Sequence, residues 1–284
     1  MIHNTPLWQR LTPLYSEREA RAIIRWVLDV RFGLTLTDIV CGHLAQLSPE
    51  EKADLEAIMQ RLEQDEPVQY VVGTAYFCGR PFHVEPGVLI PRPETEELCQ
   101  WVIADAADAI PRTILDVGTG SGCIAITLAL GIPQSSVTAW DISDKALRIA
   151  RANARSLSAD VTFEQCDALA PQLSTLHCPL STINIIVSNP PYICQNERSA
   201  MARNVLAYEP EEALFVPDAD PLLFYRAIAR YAAEVLTAEG RLYFELNPLY
   251  ADDTVAMLNS YGFNNVEVRS DAFGKQRLLQ ARKI

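Results

Sequence analysis

From residue 94 onward the chain alternates short apolar runs with longer stretches in which apolar positions recur every three or four residues. The runs fall at 113–117, 137–140, 161–166, 183–187, 241–245, 266–269 and 277–281, and the periodic stretches include 144–157, 221–236 and 250–261. Strands that alternate with helices predict an α/β domain, in which a mostly parallel seven-stranded sheet is covered on both faces. Before residue 67 the pattern is helical throughout. Ser16 and Glu19 form a candidate capping box ahead of the apolar face Ile23, Ile24, Val27 and Leu28, which ends near Gly33. Ser48-Pro49-Glu50-Glu51 opens a second helix with Leu55, Ile58, Met59 and Leu62 on one side, and one or two shorter helices fit between, at 34–47. Pro67 ends this region. The composition then turns strand-like at 68–72, 75–78 and 81–84, with Gly79-Arg80 turning the last two into a hairpin. Three parts result: a small N-terminal helical bundle at 1–66, a β-hairpin linker at 67–90 and an α/β domain at 91–284.

Composition narrows the class of protein. At 284 residues, 49% hydrophobic and 21% charged, the chain can bury a large core in two domains. No apolar run reaches membrane-spanning length, and the first six residues hold no signal-peptide core, so a cytoplasmic protein without a membrane partner is expected. Seven cysteines with no Cys-x-x-Cys pair argue for reduced thiols rather than a zinc site or a disulfide framework. Cys123, Cys166 and Cys194 read as small hydrophobes, Cys41 and His43 as packing residues and His83 as a partly buried structural histidine. The net charge of −12 lacks the basic footprint of a nucleic-acid enzyme, since Arg148, Arg151 and Arg155 merely share a helix face. A protein or small-molecule substrate is expected, without stable nucleic-acid binding.

Candidate chemistry clusters at predicted strand ends. The first strand runs into Gly118-Thr119-Gly120-Ser121-Gly122 and then a helix, a turn in which glycines let the backbone approach a ligand beside free helix N–H groups. Cys123 stands where a dinucleotide fingerprint would place its third glycine, which disfavours NAD. The next strand ends at Asp141, whose carboxylate suits two ribose hydroxyls, and the third at Asp167. The fourth ends in Asn189-Pro190-Pro191-Tyr192. There a stiff turn offers an amide side chain, backbone carbonyls and an aromatic face to a planar NH2-bearing group.

With Pro91-Arg92-Pro93-Glu94-Thr95-Glu96 and Tyr208-Glu209-Pro210-Glu211-Glu212-Ala213-Leu214, these motifs lie in an order that resembles class I S-adenosylmethionine-dependent methyltransferases of the Asn-Pro-Pro-Tyr type. More narrowly, the chain resembles the glutamine N5-methyltransferases that modify peptide-chain release factors. The resemblance implies a Rossmann-like domain that holds S-adenosylmethionine, and its product S-adenosylhomocysteine, across Gly118, Thr119, Gly120, Ser121 and Gly122. It further implies Asp141 on the ribose, Asp167 on the adenine amino group, and no metal. Ala168 replaces the bulky residue common in relatives, so the adenine contact shifts to Leu169 or to Trp140, which also reads as core filler.

The same resemblance implies that Asn189 and the Pro190 carbonyl hold the target amide, with Pro191 and Tyr192 against it and Leu89 lining the slot. Arg92, Glu94 and Glu96 read either as site residues or as an ordinary helix start, and Glu209 and Glu211 either as partner contacts or as helix caps. The stretch 193–220 has the length of a substrate lid. Asn247 stands where relatives often carry glycine, and no catalytic role is assigned to it. The implied reaction is methylation of the Gln in a Gly-Gly-Gln loop of release factors by a monomer, the helical bundle aiding substrate recognition. A ribosomal protein glutamine N5-methyltransferase is the nearest alternative. A DNA adenine-N6 methyltransferase faces the same geometric problem but fits the acidic charge poorly.

Overall fold

The computed structural model describes residues 6–108, 110–170 and 182–283. The expectation about a leader, read from the first six residues, therefore falls almost wholly outside the described residues. The chain divides into two compact units, the first made of the residues up to Ala75, Val84–Pro86 and Ala202–Tyr208, the second of the remainder.

The first unit is helical because its apolar stripes can be buried only against each other. Helix α1 (Glu17–Phe32) starts where the Ser16 hydroxyl accepts from the Glu19 N–H and stops at Gly33, which is left-handed at φ +65°. Helix α2 (Leu36–Val40) and a 3-10 turn at His43–Gln46 follow. Helix α3 (Pro49–Leu62) carries a full capping box, Ser48 with Glu51, and Pro49 occupies its first turn. Leu11, Val27, Leu28, Met59 and Leu62 form its fully buried centre. Residues 68–72, expected to be a strand, instead form helix α4 (Val68–Val72). Pro67 sits at its N-cap, Gly73 ends it at φ +74°, and Tyr70 and Val71 are buried. Burial of one face has overridden the β preference of its three valines. The helical stretch thus runs past residue 66. Cys41 is exposed and not packed, and His43 pairs through Nδ1 with Asp38 at 3.0 Å near the surface. Helix α8 (Arg203–Tyr208) belongs to this unit, with the Tyr208 hydroxyl donating to the Gln64 carbonyl.

Strands β1 (Thr74–Phe77) and β2 (Arg80–His83) form the hairpin, and the boundary between units runs through β1. Its turn residues are Cys78 and Gly79, at φ +48° and +73°, one position earlier than expected. Two successive left-handed residues give the twist a two-residue hairpin needs. His83 is exposed on β2 rather than partly buried.

The second unit is built on one sheet of β3 (Thr113–Val117), β4 (Ser136–Asp141), β5 (Thr162–Gln165), β6 (Ile183–Ser188), β9 (Leu236–Glu245), β10 (Phe263–Ser270) and β11 (Gln276–Lys283), and its order is β10-β11-β9-β6-β3-β4-β5. Six strands run in one direction, and β11 alone is reversed, pairing antiparallel with β9 and β10. Strand β9 begins at Leu236, taking in residues 236–240 that the periodicity had left outside it. Helices α5 (Pro93–Asp105), α6 (Cys123–Gly131) and α7 (Asp144–Ser156) share one core with the sheet, through Leu98, Trp101, Ile126, Leu128, Ala154 and Ile185. Helices α9 (Leu223–Val235) and α10 (Ala251–Ser260) share the other, through Tyr225, Ile228, Leu258, Ile186 and Phe244. Alternate residues of each strand feed opposite cores, Ile185 one and Ile186 the other, so both faces are apolar as in other doubly covered parallel sheets.

The stretch 193–220 is not an unstructured lid. It contains the short parallel pair β7 (Ile193–Cys194) and β8 (Phe215–Val216), and its middle joins the helical unit. Among the described residues no helix is long and apolar enough to cross a membrane.

Candidate active site

Strand order sets where a ligand can bind. After β5 the chain crosses to the other side of β3 to lay down β6, so the loops leaving β3 and β6 diverge and open a crevice at their carboxyl ends. Register aligns them: Val117 pairs with Trp140 and Ser188, and Ser188 with Phe244. The next residues, Gly118, Asp141, Asn189 and Glu245, consequently stand in one row.

A cavity of about 270 Å³ occupies this crevice. Of the residues expected in the site, its wall includes Leu89, Gly118, Gly120, Asp141, Asp167, Ala168, Asn189, Pro190 and Pro191. Gly118 (φ +78°) and Gly120 (φ +55°) are left-handed, and a Cβ on either would meet nothing within 4 Å, so both present bare backbone to open space. Thr119, Ser121 and Gly122 do not reach the wall. Thr119 donates to Asp116 Oδ2 at 2.6 Å, Ser121 is buried, and Gly122 is the N-cap of α6, packed against Ile126 and Ala150.

Asp141 accepts from the Gly120 N–H at 2.8 Å and the Ser143 N–H at 2.9 Å. Its carboxylate is thereby fixed between the glycine turn and the start of α7, with lone pairs left for hydroxyls. Burial raises its pKa, and those two N–H groups oppose the rise. Asp167 Oδ1 accepts from the Leu169 N–H at 2.8 Å, which turns the chain so that Ala168 and Leu169 face the cavity. Trp140 is core: it is 3% exposed, donates to Glu164 at 2.9 Å and packs against Tyr231. Ile142, which the sequence reading did not single out, lines the cavity although 59% exposed, and Phe224 and Ile228 of α9 line it too. An apolar residue directly after the strand-end acid was the available signal for Ile142; α9 gave none. A bare glycine turn, an acid held with free lone pairs and an apolar wall fit a nucleoside that carries an aliphatic chain.

At the other end stand Asn189, Pro190 and Pro191. Asn189 Nδ2 donates to Thr95 Oγ1 at 3.2 Å, and Thr95 Oγ1 donates to Glu245 Oε2 at 2.6 Å. The Tyr192 hydroxyl donates to Glu245 Oε1 at 2.8 Å and accepts from Arg277 Nη1 at 3.2 Å. Glu245 is buried, and desolvation raises its pKa while Thr95, Tyr192 and Arg277 hold it down. Asn247 Nδ2 donates to the Tyr192 carbonyl at 3.1 Å and to Glu197 at 2.9 Å, so its side chain braces the turn. Arg92 stands outside the cavity wall, its Nη2 at 2.5 Å from Glu209, whose other oxygen accepts from the Ile90 N–H at 3.1 Å. Buried Glu209 thus ties down the segment leading to α5, a purpose neither sequence reading foresaw. Glu211 pairs with Arg198 at the surface, while neighbouring Glu212 reaches the cavity. Of the three cysteines read as small hydrophobes, Cys166 lines the cavity; Cys123, at 8% exposure, has its thiol pKa pushed up to about 12 by burial, and Cys194 is buried.

Residues 9–73 match the PrmC N-terminal domain family and residues 99–215 the Methyltransferase small domain family. The chain is 45% identical over 275 residues to a release factor glutamine methyltransferase of Bacteroides thetaiotaomicron, covering 97% of both proteins. It is 39% identical to one of Flavobacterium psychrophilum, covering 98% of this chain and 97% of that protein. Among solved structures, a methyltransferase from Pyrococcus furiosus aligns with a TM-score of 0.53 at 14% identity, over 83% of this chain and 99% of its own. The Thermus thermophilus 16S rRNA N2 G1207 methyltransferase, solved with AdoMet and guanosine, aligns with a TM-score of 0.53 at 18% identity over 74% of this chain and 50% of its own. Those structural likenesses bear on the fold alone. On sequence, over nearly its whole length, the chain belongs to the release factor glutamine methyltransferase family.

Proposed function

We propose that this chain transfers the methyl group of S-adenosylmethionine to the side-chain amide nitrogen of the Gln in the Gly-Gly-Gln loop of peptide chain release factors. The observation that carries this reading is the convergence of Gly118, Gly120, Asp141 and Asn189 on one cavity, within a chain 45% identical to a release factor glutamine methyltransferase. The bound nucleoside supplies an electrophilic methyl on sulfonium. Gly118 and Gly120 admit it against bare backbone, Asp141 accepts its ribose hydroxyls, and Ile142 and Leu169 pack against its base beside Asp167.

An amide nitrogen is a poor nucleophile because its lone pair is delocalised into the carbonyl. Asn189 Oδ1 and the Pro190 carbonyl accept its two N–H groups and so aim the nitrogen along the cavity. As the N–C bond forms and the S–C bond breaks, positive charge grows on nitrogen, these hydrogen bonds strengthen, and the nitrogen then loses one of its two protons to solvent. S-adenosylhomocysteine and the N5-methylated glutamine remain. No metal enters this scheme. Tyr192 braces the turn from within through its hydroxyl. We assign the helical unit to grip the release factor, with the protein acting as a cytoplasmic monomer.

The test is single-turnover methyl transfer to a release factor, with the modified atom located by mass spectrometry. Asn189→Asp should lose about a hundredfold in rate, near 3 kcal/mol, because the carboxylate oxygen in place of Nδ2 opposes the Thr95 hydroxyl oxygen and drives the side chain off the target N–H. Half the wild-type rate, or methyl anywhere but the glutamine amide, refutes the assignment. A ribosomal protein assayed in parallel decides between substrate classes.

A further inference from the structure

Five side chains, two of them from the Asn-Pro-Pro-Tyr turn itself, form a hydrogen-bond chain whose directions are set by Arg277 at one end and by Glu245 in the middle. Arg277 can only donate, and its Nη1 lies 3.2 Å from the Tyr192 hydroxyl oxygen. The Tyr192 proton is therefore turned toward Glu245 Oε1, 2.8 Å away. Glu245, as a carboxylate, can only accept, and its Oε2 takes the Thr95 proton at 2.6 Å. With that proton committed, Thr95 Oγ1 has only lone pairs left for Asn189, and it receives Nδ2 at 3.2 Å. Thr95 and Glu245 are each 2% exposed, so water does not compete at either.

We infer that Thr95 and Glu245 are positioning residues that set the orientation of the Asn189 amide, turning its Nδ2 to Thr95 and keeping its carbonyl oxygen for the target N–H. The two ends of an Asn side chain have nearly the same shape, and only hydrogen-bond polarity separates them. Reversed, the same residue would present NH2 to the NH2 of its target, donor against donor. Thr95 sits on the first turn of α5, whose Pro93 start places it over the end of β6 and β9. Glu245 closes β9 level with Asn189, each one step beyond the paired Phe244 and Ser188. The inference rests on the proposed role of Asn189 in gripping the amide.

Three variants of the full-length protein test it. Thr95→Val keeps the shape and removes the hydroxyl. Glu245→Gln substitutes an amide, which leaves either a hydroxyl proton without an acceptor or the Asn189 amide reversed. Thr95→Ser restores the hydroxyl. Measured with a purified release factor, T95V and E245Q should each lower kcat by about tenfold or more, while KM for the factor and Kd for S-adenosylhomocysteine stay within about threefold. T95S should recover to within about threefold of wild type, and the T95V/E245Q pair should be no slower than the slower single variant, because both break one chain. A kcat loss below about tenfold in both, or a loss that moves into KM or product affinity, overturns the inference, as does T95S falling as far as T95V. If T95V fails to fold, as read by circular dichroism and urea unfolding, the same limit applied to E245Q decides. Asn189→Ala is run beside them. Wild-type rate there overturns the role of Asn189 and this inference with it, whereas a slow N189A beside fast T95V and E245Q overturns this inference alone.

Discussion

Asp116, on β3 just before the glycine turn, is fully buried. Its Oδ2 accepts from Thr119 and from the Ala125 N–H, and its Oδ1 has no partner among the described residues. Burial pushes its pKa up to about 7, against the opposing pull of those two donors. An acid whose folded pKa exceeds its unfolded value of about 3.9 binds more protons when folded, so stability falls as pH rises between about 4 and 7 and levels off above. Asp116→Asn removes this titration and places an NH2 where the partnerless oxygen stands. The variant should gain on wild type by up to about 3–4 kcal/mol between pH 4.5 and pH 8 in urea unfolding. A stability difference that does not change with pH would show that the carboxyl does not titrate in this window.

At the scale of elements, one turn carries glycines with two separate duties. A Cβ at Gly122 (φ +83°) would lie 2.9 Å from Ile126 Cδ1 and 3.1 Å from Ala150 Cβ, because this residue lets α6 close on α7. A Cβ at Gly118 (φ +78°) would meet nothing within 4 Å. Both alanine variants bear the left-handed penalty of about 1–2 kcal/mol, and Gly122→Ala adds a clash of about 1–2 kcal/mol more. Urea unfolding should rank Gly122→Ala as the less stable. Calorimetric titration with S-adenosylhomocysteine should rank Gly118→Ala as the weaker binder, since its methyl faces the cavity. The opposite ranking in the titration would mean that the ligand does not lie along Gly118, and in the unfolding that α6 does not depend on Gly122 to close on α7. The helix starts at Ser16 and Ser48 were legible because a cap is local: a hydroxyl, an N–H three residues on, and an apolar stripe. Helix α4 was not, because Val-Gln-Tyr-Val-Val favours a strand until Tyr70 and Val71 find a surface to bury against.

For the molecule as a whole, S-adenosylhomocysteine at a hundred times its dissociation constant should stabilise the fold by about 2.7 kcal/mol, since binding to the native state alone shifts the unfolding equilibrium. A melting temperature unmoved by saturating product would count against the nucleoside site. The helical unit has a core of its own around Leu11, Val27 and Met59, and none of its described residues lines the cavity. A fragment that begins at Tyr76 and still binds product should methylate a short Gly-Gly-Gln peptide as the full chain does but act more slowly on intact release factor. Unchanged kcat/KM on the intact factor would remove the recognition role from the helices.

The sequence by itself determined the alternation of strands and helices, hence a parallel sheet with both faces covered, and the strand-end motifs that gather at its carboxyl edge. Such features follow from local rules: periodicity selects the element, and a residue after a strand must stand at that strand's end. Only the tertiary structure decided what lies behind them. That Glu209 would tie down Arg92 across 117 positions, that Thr95 would meet Glu245 across 150, and that α9 would line the cavity depends on which elements the sheet order makes neighbours. Hydrogen bonds between buried side chains leave no periodic trace in the chain, since each partner alone reads as an ordinary polar residue at a helix start, a strand end or a loop.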